Sequence, residues 1–184
     1  MDERREIWTI GHWTLEIPDF LAPLDEHDIE VLVDVRAHPG SRRSPQFGSD
    51  TMAGWLAEDS IEYRRLPNLG GRRPRQDVDS QLNAAWQNAS FKNYADYTLT
   101  GDYRRGIEEL TALARSRRTV VMCGEPVPWR CHRLIVANTL VAEAWMVKHL
   151  LPEGAVHEHV LGQWGAPPVV GNDGLVTYPD QSPG

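Results

Sequence analysis

The chain has 184 residues, 41% hydrophobic and 24% charged, with a net charge of -7, which at about 150 residues per domain suits one domain with a packed core and excludes a disordered chain. The negative total excludes a general nucleic-acid glue. No run of about 18 apolar residues occurs and MDERREIW opens the chain with charge, so neither a membrane span nor a signal peptide is expected.

Glu6 to Ile10 alternates apolar and polar, and Gly11-His12 breaks it, which predicts a short strand and a turn. Phe20, Leu21 and Leu24 mark a helix. Pro18 suits its first turn and Pro23 its interior poorly, so the helix should be short or kinked. The run Ile29 to Arg36 is apolar almost throughout, as in a central parallel strand covered on both faces. An Arg/Ser/Pro loop follows to Gly48. Ser49 is placed to cap a helix reaching about Asp59, with Met52, Trp55 and Leu56 inward. Ile61 to Leu66 reads as a strand and Pro67 to Gln76 as a Gly/Arg loop.

Leu82, Trp86 and Ala89 have helical spacing, as do Phe91, Tyr94, Ala95 and Thr98, and again Tyr103, Ile107, Leu110 and Ala114. Thr119 to Cys123 is a buried strand. Pro126 and Pro128 exclude a helix over Glu125 to Arg130. From Cys131, the residues Leu134, Ala137, Val141 and Trp145 form an apolar helical stripe, and Val156 to Leu161 predicts a last strand. Residues 1–161 then form one domain, and 162–184, where Gly and Pro supply nine of 23 residues, a tail or arm. Strands alternating with helices predict a three-layer α/β fold with a mostly parallel sheet.

Charge and chemistry are unevenly placed. Arg36 to Arg75 holds eight arginines against four acids, while 17 of the 19 basic residues overall are Arg, the side chain that grips phosphate and carboxylate in a two-pronged fashion. His12 follows the first strand, Asp34 and Arg36 close the second, Cys123 and Glu125 close a late one, and Cys131, His132 and Arg133 open the next helix. In an open parallel sheet all of these fall on the carboxyl edge, where ligands bind, and a helix N-terminus adds free N–H groups. Asp34 is expected to orient Arg36 or Arg133. Cys131, beside Arg130 and Arg133, is expected to have a lowered pKa and Cys123 to stay a neutral core thiol. On a helix, His132 would diverge from Cys131 by about 100°, which makes His12 the better base. Gly70-Gly71 with Arg72, Arg73 and Arg75 reads as a phosphate cradle.

Metal is not expected. Cys123-x7-Cys131 is no zinc spacing, and His157-x-His159 shares one strand face without a third ligand. Walker, dinucleotide and nucleophile-elbow motifs are absent, and no cofactor is expected. Two cysteines fit a reducing cytoplasm.

Thr9-Ile10-Gly11-His12, Leu32-Val33-Asp34-Val35-Arg36 with Pro39 and Ser41, Pro45-Gln46-Phe47, Leu69-Gly70-Gly71, Cys123-Gly124-Glu125 and Cys131-His132-Arg133 occur in this order. With Val156-His157-Glu158-His159 they resemble the domain-of-unknown-function 488 family. Trp13 stands where that family usually has Ser or Thr, and Gly124 where it has Ala, and Trp13 is expected to narrow or cover the site. The resemblance implies an α/β fold and one shared polar site without naming a reaction. The residues predict an enzyme or binder for an anionic small molecule, a nucleotide or nucleobase derivative. Arg36, Arg42, Arg133, Gly70, Gly71, Asp34 and His132 would hold it, and Cys131, Glu125 and His12 would do the chemistry. A nucleic-acid-associated module and a thiol redox or metal sensor are the alternatives.

Overall fold

A computed structural model describes residues 5–40 and 42–181, so Ser41 lies outside the described residues. Strands β1 (Glu6–Gly11), β2 (Val31–Asp34), β3 (Glu62–Arg65), β4 (Thr119–Cys123) and β5 (Met146–Leu150) run parallel, and β6 (Val156–Glu158) closes one edge antiparallel to β5. The sheet order is β3-β2-β4-β1-β5-β6. Helices α1 (Ile17–Glu26) and α2 (Ser49–Glu58) cover one face, and α3 (Ala89–Tyr97), α4 (Gly101–Ser116) and α5 (Arg133–Ala142) the other. The fold is three-layer α/β, and no helix among the described residues is long and apolar enough to cross a membrane.

Strand alternation divides the core. Val31, Val33, Val35, Val121 and Cys123 point toward α3–α5, while Leu32, Val120 and Met122 point toward Phe20, Leu24, Met52 and Leu56 on α1 and α2. Pro23 sits inside α1, which is only ten residues long. Gly48 is the residue capping α2, and Ser49, expected as the cap, is already its first helical residue.

Four expectations need correction. Leu82 and Trp86 lie in turns, because the Ala85 N–H is taken by the Tyr178 carbonyl at 2.9 Å and the Leu82 carbonyl by the Tyr178 N–H at 3.1 Å. Pro128–Arg130 forms a single 3₁₀ turn, tight enough to accommodate proline at its start. The stripe from Leu134 ends at Ala142, and Trp145 precedes β5, a strand the helical reading concealed. The sixth strand stops at Glu158.

After β6, a hairpin of β7 (Val169–Val170) and β8 (Val176–Thr177) returns the chain to the domain. Tyr178 is buried there, and its hydroxyl accepts from Asn138 Nδ2 of α5 at 3.0 Å while its N–H donates to Asn83 Oδ1 at 2.9 Å.

Candidate functional site

β1 leaves the sheet toward α1, and its neighbour β4 leaves toward α5 on the opposite face. Connections that part in this way open a crevice at the carboxyl edge. The strand ends are laced together past the ladder, with His12 N–H to the Cys123 carbonyl, Trp13 N–H to Gly124 and Val35 N–H to Met122, all at 3.0 Å. Gly11 is required at the crossing, since a Cβ there would lie 1.6 Å from the Glu125 carbonyl oxygen. The crevice is a cleft of about 600 Å³.

On the α1–α2 side, Asp34 and Arg36 point to the same face, as their spacing dictates. Asp34 Oδ1 accepts from the Arg36 N–H (3.0 Å) and Nε (2.9 Å), and Oδ2 accepts from Arg36 Nη2 (2.7 Å) and the Tyr63 hydroxyl (2.5 Å). Burial and then this bond to Asp34 push the Tyr63 hydroxyl pKa well up, so it stays a donor. Arg36 Nη1 reaches His12 Nε2 at 3.3 Å. His12 Nδ1 lies 2.8 Å from the Trp13 carbonyl, which assigns the proton to Nδ1 and leaves Nε2 the acceptor. Burial lowers the His12 pKa; the Trp13 carbonyl opposes this and the Arg36 charge adds to it. The ring stacks on Phe47 at 4.6 Å.

On the α5 side, Cys131 sits just before the helix with extended backbone (φ -137°, ψ 149°). The 100° divergence expected of helical neighbours therefore does not apply, and Cys131 Sγ lies 3.4 Å from His132 Nδ1. Arg133 is fully buried. Its Nη1 donates to Thr9 Oγ1 (2.9 Å) and Nη2 to the Glu125 carbonyl (3.3 Å), and among the described residues no carboxylate pairs with it. From Thr9 a chain of bonds continues to His149 Nδ1 (2.6 Å), from His149 Nε2 to His159 Nδ1 (3.0 Å), and from His159 Nε2 to Asn138 Oδ1 (2.8 Å). The amide oxygen can only accept, so His159 Nε2 donates and each ring upstream is a neutral tautomer donating through Nε2. Burial, then neighbouring positive or protonatable groups, hold His149 down to about 2 and His159 to about 4.

The thiol expectations reverse. Burial, then a hydrogen bond to Cys123 and the charge there, push the Cys131 thiol well up. Burial also pushes Cys123 up, but the Cys131 hydrogen bond, the Arg133 charge and the Glu125 backbone outweigh it and bring Cys123 to about 7. Two adjoining thiols do not both ionise, and burial together with Cys123 opposes the charge on Cys131. His132, also buried, is lowered to about 4.

The cleft is lined by His12, Arg36, Gly71, Glu125, Cys131 and His132 of the expected residues, with Cys123 between them, while Asp34 and Arg133 lie beneath and hold their neighbours. Arg42 is exposed and does not line it. The glycine cradle does not form. Gly70 N–H is spent on the Pro67 carbonyl (2.9 Å) and Gly71 N–H on Val35 (3.3 Å), and a Cβ on Gly71 would meet the His132 ring at 2.7 Å. That pair is a packing device. Trp13, 46% exposed, does not line the cleft. A Cβ on Gly124 would stand 3.3 Å from His12 Nε2, so glycine leaves that nitrogen extra room.

Arg72 of the expected cradle does line the cleft, while sequence reasoning missed Phe91 and Tyr94 there and His149 behind it. Their only signal was residue type, because their elements reach the edge through tertiary packing. His157 and His159 do share a face against Trp164, at 5.1 and 6.1 Å between ring centroids. Among the described residues no group of three or more His, Cys, Asp or Glu is placed to hold a metal ion.

The family model "Domain of unknown function DUF488" matches residues 16–140, which takes in every cleft segment except His12. No curated protein and no solved structure matches the chain.

Proposed function

The chain belongs to the DUF488 family, and on that premise and the cleft it carries we propose that the protein binds, and acts on, an anionic small molecule with a planar group, a nucleotide or nucleobase derivative. The observation that carries this reading is the lining itself. Arg36, Arg72 and Arg130 with His12, His38 and His132 supply cations and donors around one cleft, Glu125 is its single carboxylate, and Phe91 offers an apolar plate on α3. A volume of about 600 Å³ suits a ligand of that size, since such pockets run from roughly 300 to 1,000 Å³. Arg36 is held by Asp34 through Nε and Nη2, and its Nη1 meets His12 Nε2 at the cleft wall, which fixes the guanidinium as a preorganised anion contact. If the ligand is turned over, the Cys123 thiolate is the nucleophile and neutral His12 the nearby proton acceptor.

The nucleic-acid alternative loses support from where the arginines go. Arg36, Arg64, Arg65 and Arg73 are bonded to Asp34, Glu62, Ala37 and Gly70 of the same chain, Arg64 and Arg65 at the surface, which leaves fewer unengaged to track a phosphate backbone.

The test is calorimetric titration with nucleoside 5′-monophosphates and their parent nucleosides at two salt concentrations. The expected result is binding of the phosphorylated set, at least tenfold tighter than the nucleosides and weaker at high salt, and weakened further by Arg36→Met. Equal affinity for both sets, or no binding of either, overturns the reading.

A further inference from the structure

The two sulfurs occupy an arrangement that a single nucleophile does not need. Cys123 closes β4 and faces the α5 side of the sheet, and Cys131, with extended backbone just before α5, packs in the same buried cluster. Cys123 Sγ lies 3.6 Å from the Glu125 carbonyl oxygen, which also receives Arg133 Nη2 at 3.3 Å. The Arg133 N–H, first in α5, meets Cys131 Sγ at 3.5 Å. The thiols thus flank one arginine, each acts on the ionisation of the other, and both are free. Both line the cleft while being almost fully buried, at 2% and 6% exposure, so a small oxidant has a path to them and a large one does not.

We infer that Cys123 and Cys131 are a redox couple, a modification site at which a hydroperoxide converts the two thiols to an intramolecular disulfide. The Cys123 thiolate attacks one peroxide oxygen. An S–O bond forms, the O–O bond breaks, and the departing oxyanion takes a proton to leave as water or an alcohol. Cys131, whose Sγ stands 3.4 Å from His132 Nδ1, then attacks the Cys123 sulfur, and its proton passes to the leaving hydroxide as the bond forms. The S–S bond forms, the S–O bond breaks, and the hydroxide leaves with that proton as water. Two thiols and one hydroperoxide give one disulfide, one alcohol or water, and one water, and the sulfurs supply both electrons. Arg133 stands beside both sulfurs, its N–H on Cys131 Sγ and its Nη2 on the carbonyl that Cys123 Sγ also meets, so a negative charge on the pair has a counter-charge within it. The inference does not depend on which ligand fills the cleft.

The experiment treats the native, full-length protein with stoichiometric hydrogen peroxide, denatures it with N-ethylmaleimide present, and reads intact mass. The expected product is lighter by about 2 Da, carries no maleimide, yields a peptide pair joining Cys123 to Cys131, and regains two maleimides after dithiothreitol. Two maleimides without reduction, a stable gain of about 16 or 32 Da on either cysteine, or a covalent dimer overturns the inference. In Cys131→Ser, dimedone is expected to capture a sulfenic acid at Cys123. In Cys123→Ser, capture at Cys131 at the same rate overturns the assigned order. The wild-type mass needs neither variant to fold and no nucleotide to bind, so its failure is distinct from failure of the ligand reading.

Discussion

Two buried arginines stand on either side of the sheet edge, and they are treated in opposite ways. Arg36 is clamped by both oxygens of Asp34, which Tyr63 holds in turn, so its charge is balanced before any ligand arrives. Among the described residues, the Arg133 guanidinium has a hydroxyl and a carbonyl as partners and no carboxylate. A buried cation without an anion is costly, and its charge adds to the Cys131 contact in drawing Cys123 toward thiolate and to burial and His159 in keeping His149 neutral. A paired arginine positions; an unpaired one changes the protonation of its neighbours.

Three measurements break or sharpen that contrast. The largest effect is expected from acid. His132, His149 and His159 are lowered to about 4, 2 and 4, against about 6.5 in an unfolded chain. The unfolded state therefore takes up protons first. The stability these groups contribute is complete above pH 6.5 and drains as pH falls below it, at about 1.4 kcal/mol per unit for each, or about 4 for the three. Urea unfolding at pH 7.5 and 5.5 should show a loss of roughly that size. A flat profile would mean that the α5 side is not the dry, cation-dominated region described.

Asp34→Asn comes next. It keeps the shape and removes the anion, which leaves Arg36 as unbalanced as Arg133 but with no thiol to adapt. A loss of about 3 kcal/mol is expected at neutral pH, read from the urea midpoint. A change below about 1 kcal/mol would show that the pair behaves like a solvated one.

The smallest effect is in Arg133→Met, which replaces the lone cation by an apolar chain of similar length. Without that cation the Cys123 thiol pKa rises from about 7, by about one unit, and alkylation at pH 7 slows roughly tenfold. The iodoacetamide rate against pH checks it. An unchanged profile would assign the whole lowering to the Cys131 hydrogen bond.

Much of this molecule is legible from one dimension. β1, β2, β4 and α4 follow from local periodicity, because each buries a repeating apolar pattern that no distant segment can override. The convergence of His12, Arg36, Glu125 and Cys131 also follows from sequence, since residues after parallel strands share one edge. Asp34 as the orienter of Arg36 needed only the two-residue spacing. Other features were decided in three dimensions. Leu82 to Trp86 has helical spacing but surrenders its backbone bonds to the returning arm. β5 hides behind α5, because Trp145 extends the apolar stripe across the helix end. The identity of the thiolate was also tertiary. Sequence places Cys131 among arginines and at a helix start, which favours its ionisation. The folded chain buries it against Cys123 and sets the buried Arg133 guanidinium, which no carboxylate among the described residues pairs, beside both. Local sequence fixes which groups are near in the chain, but ionisation answers to burial and to charges brought from other strands, and only packing determines those.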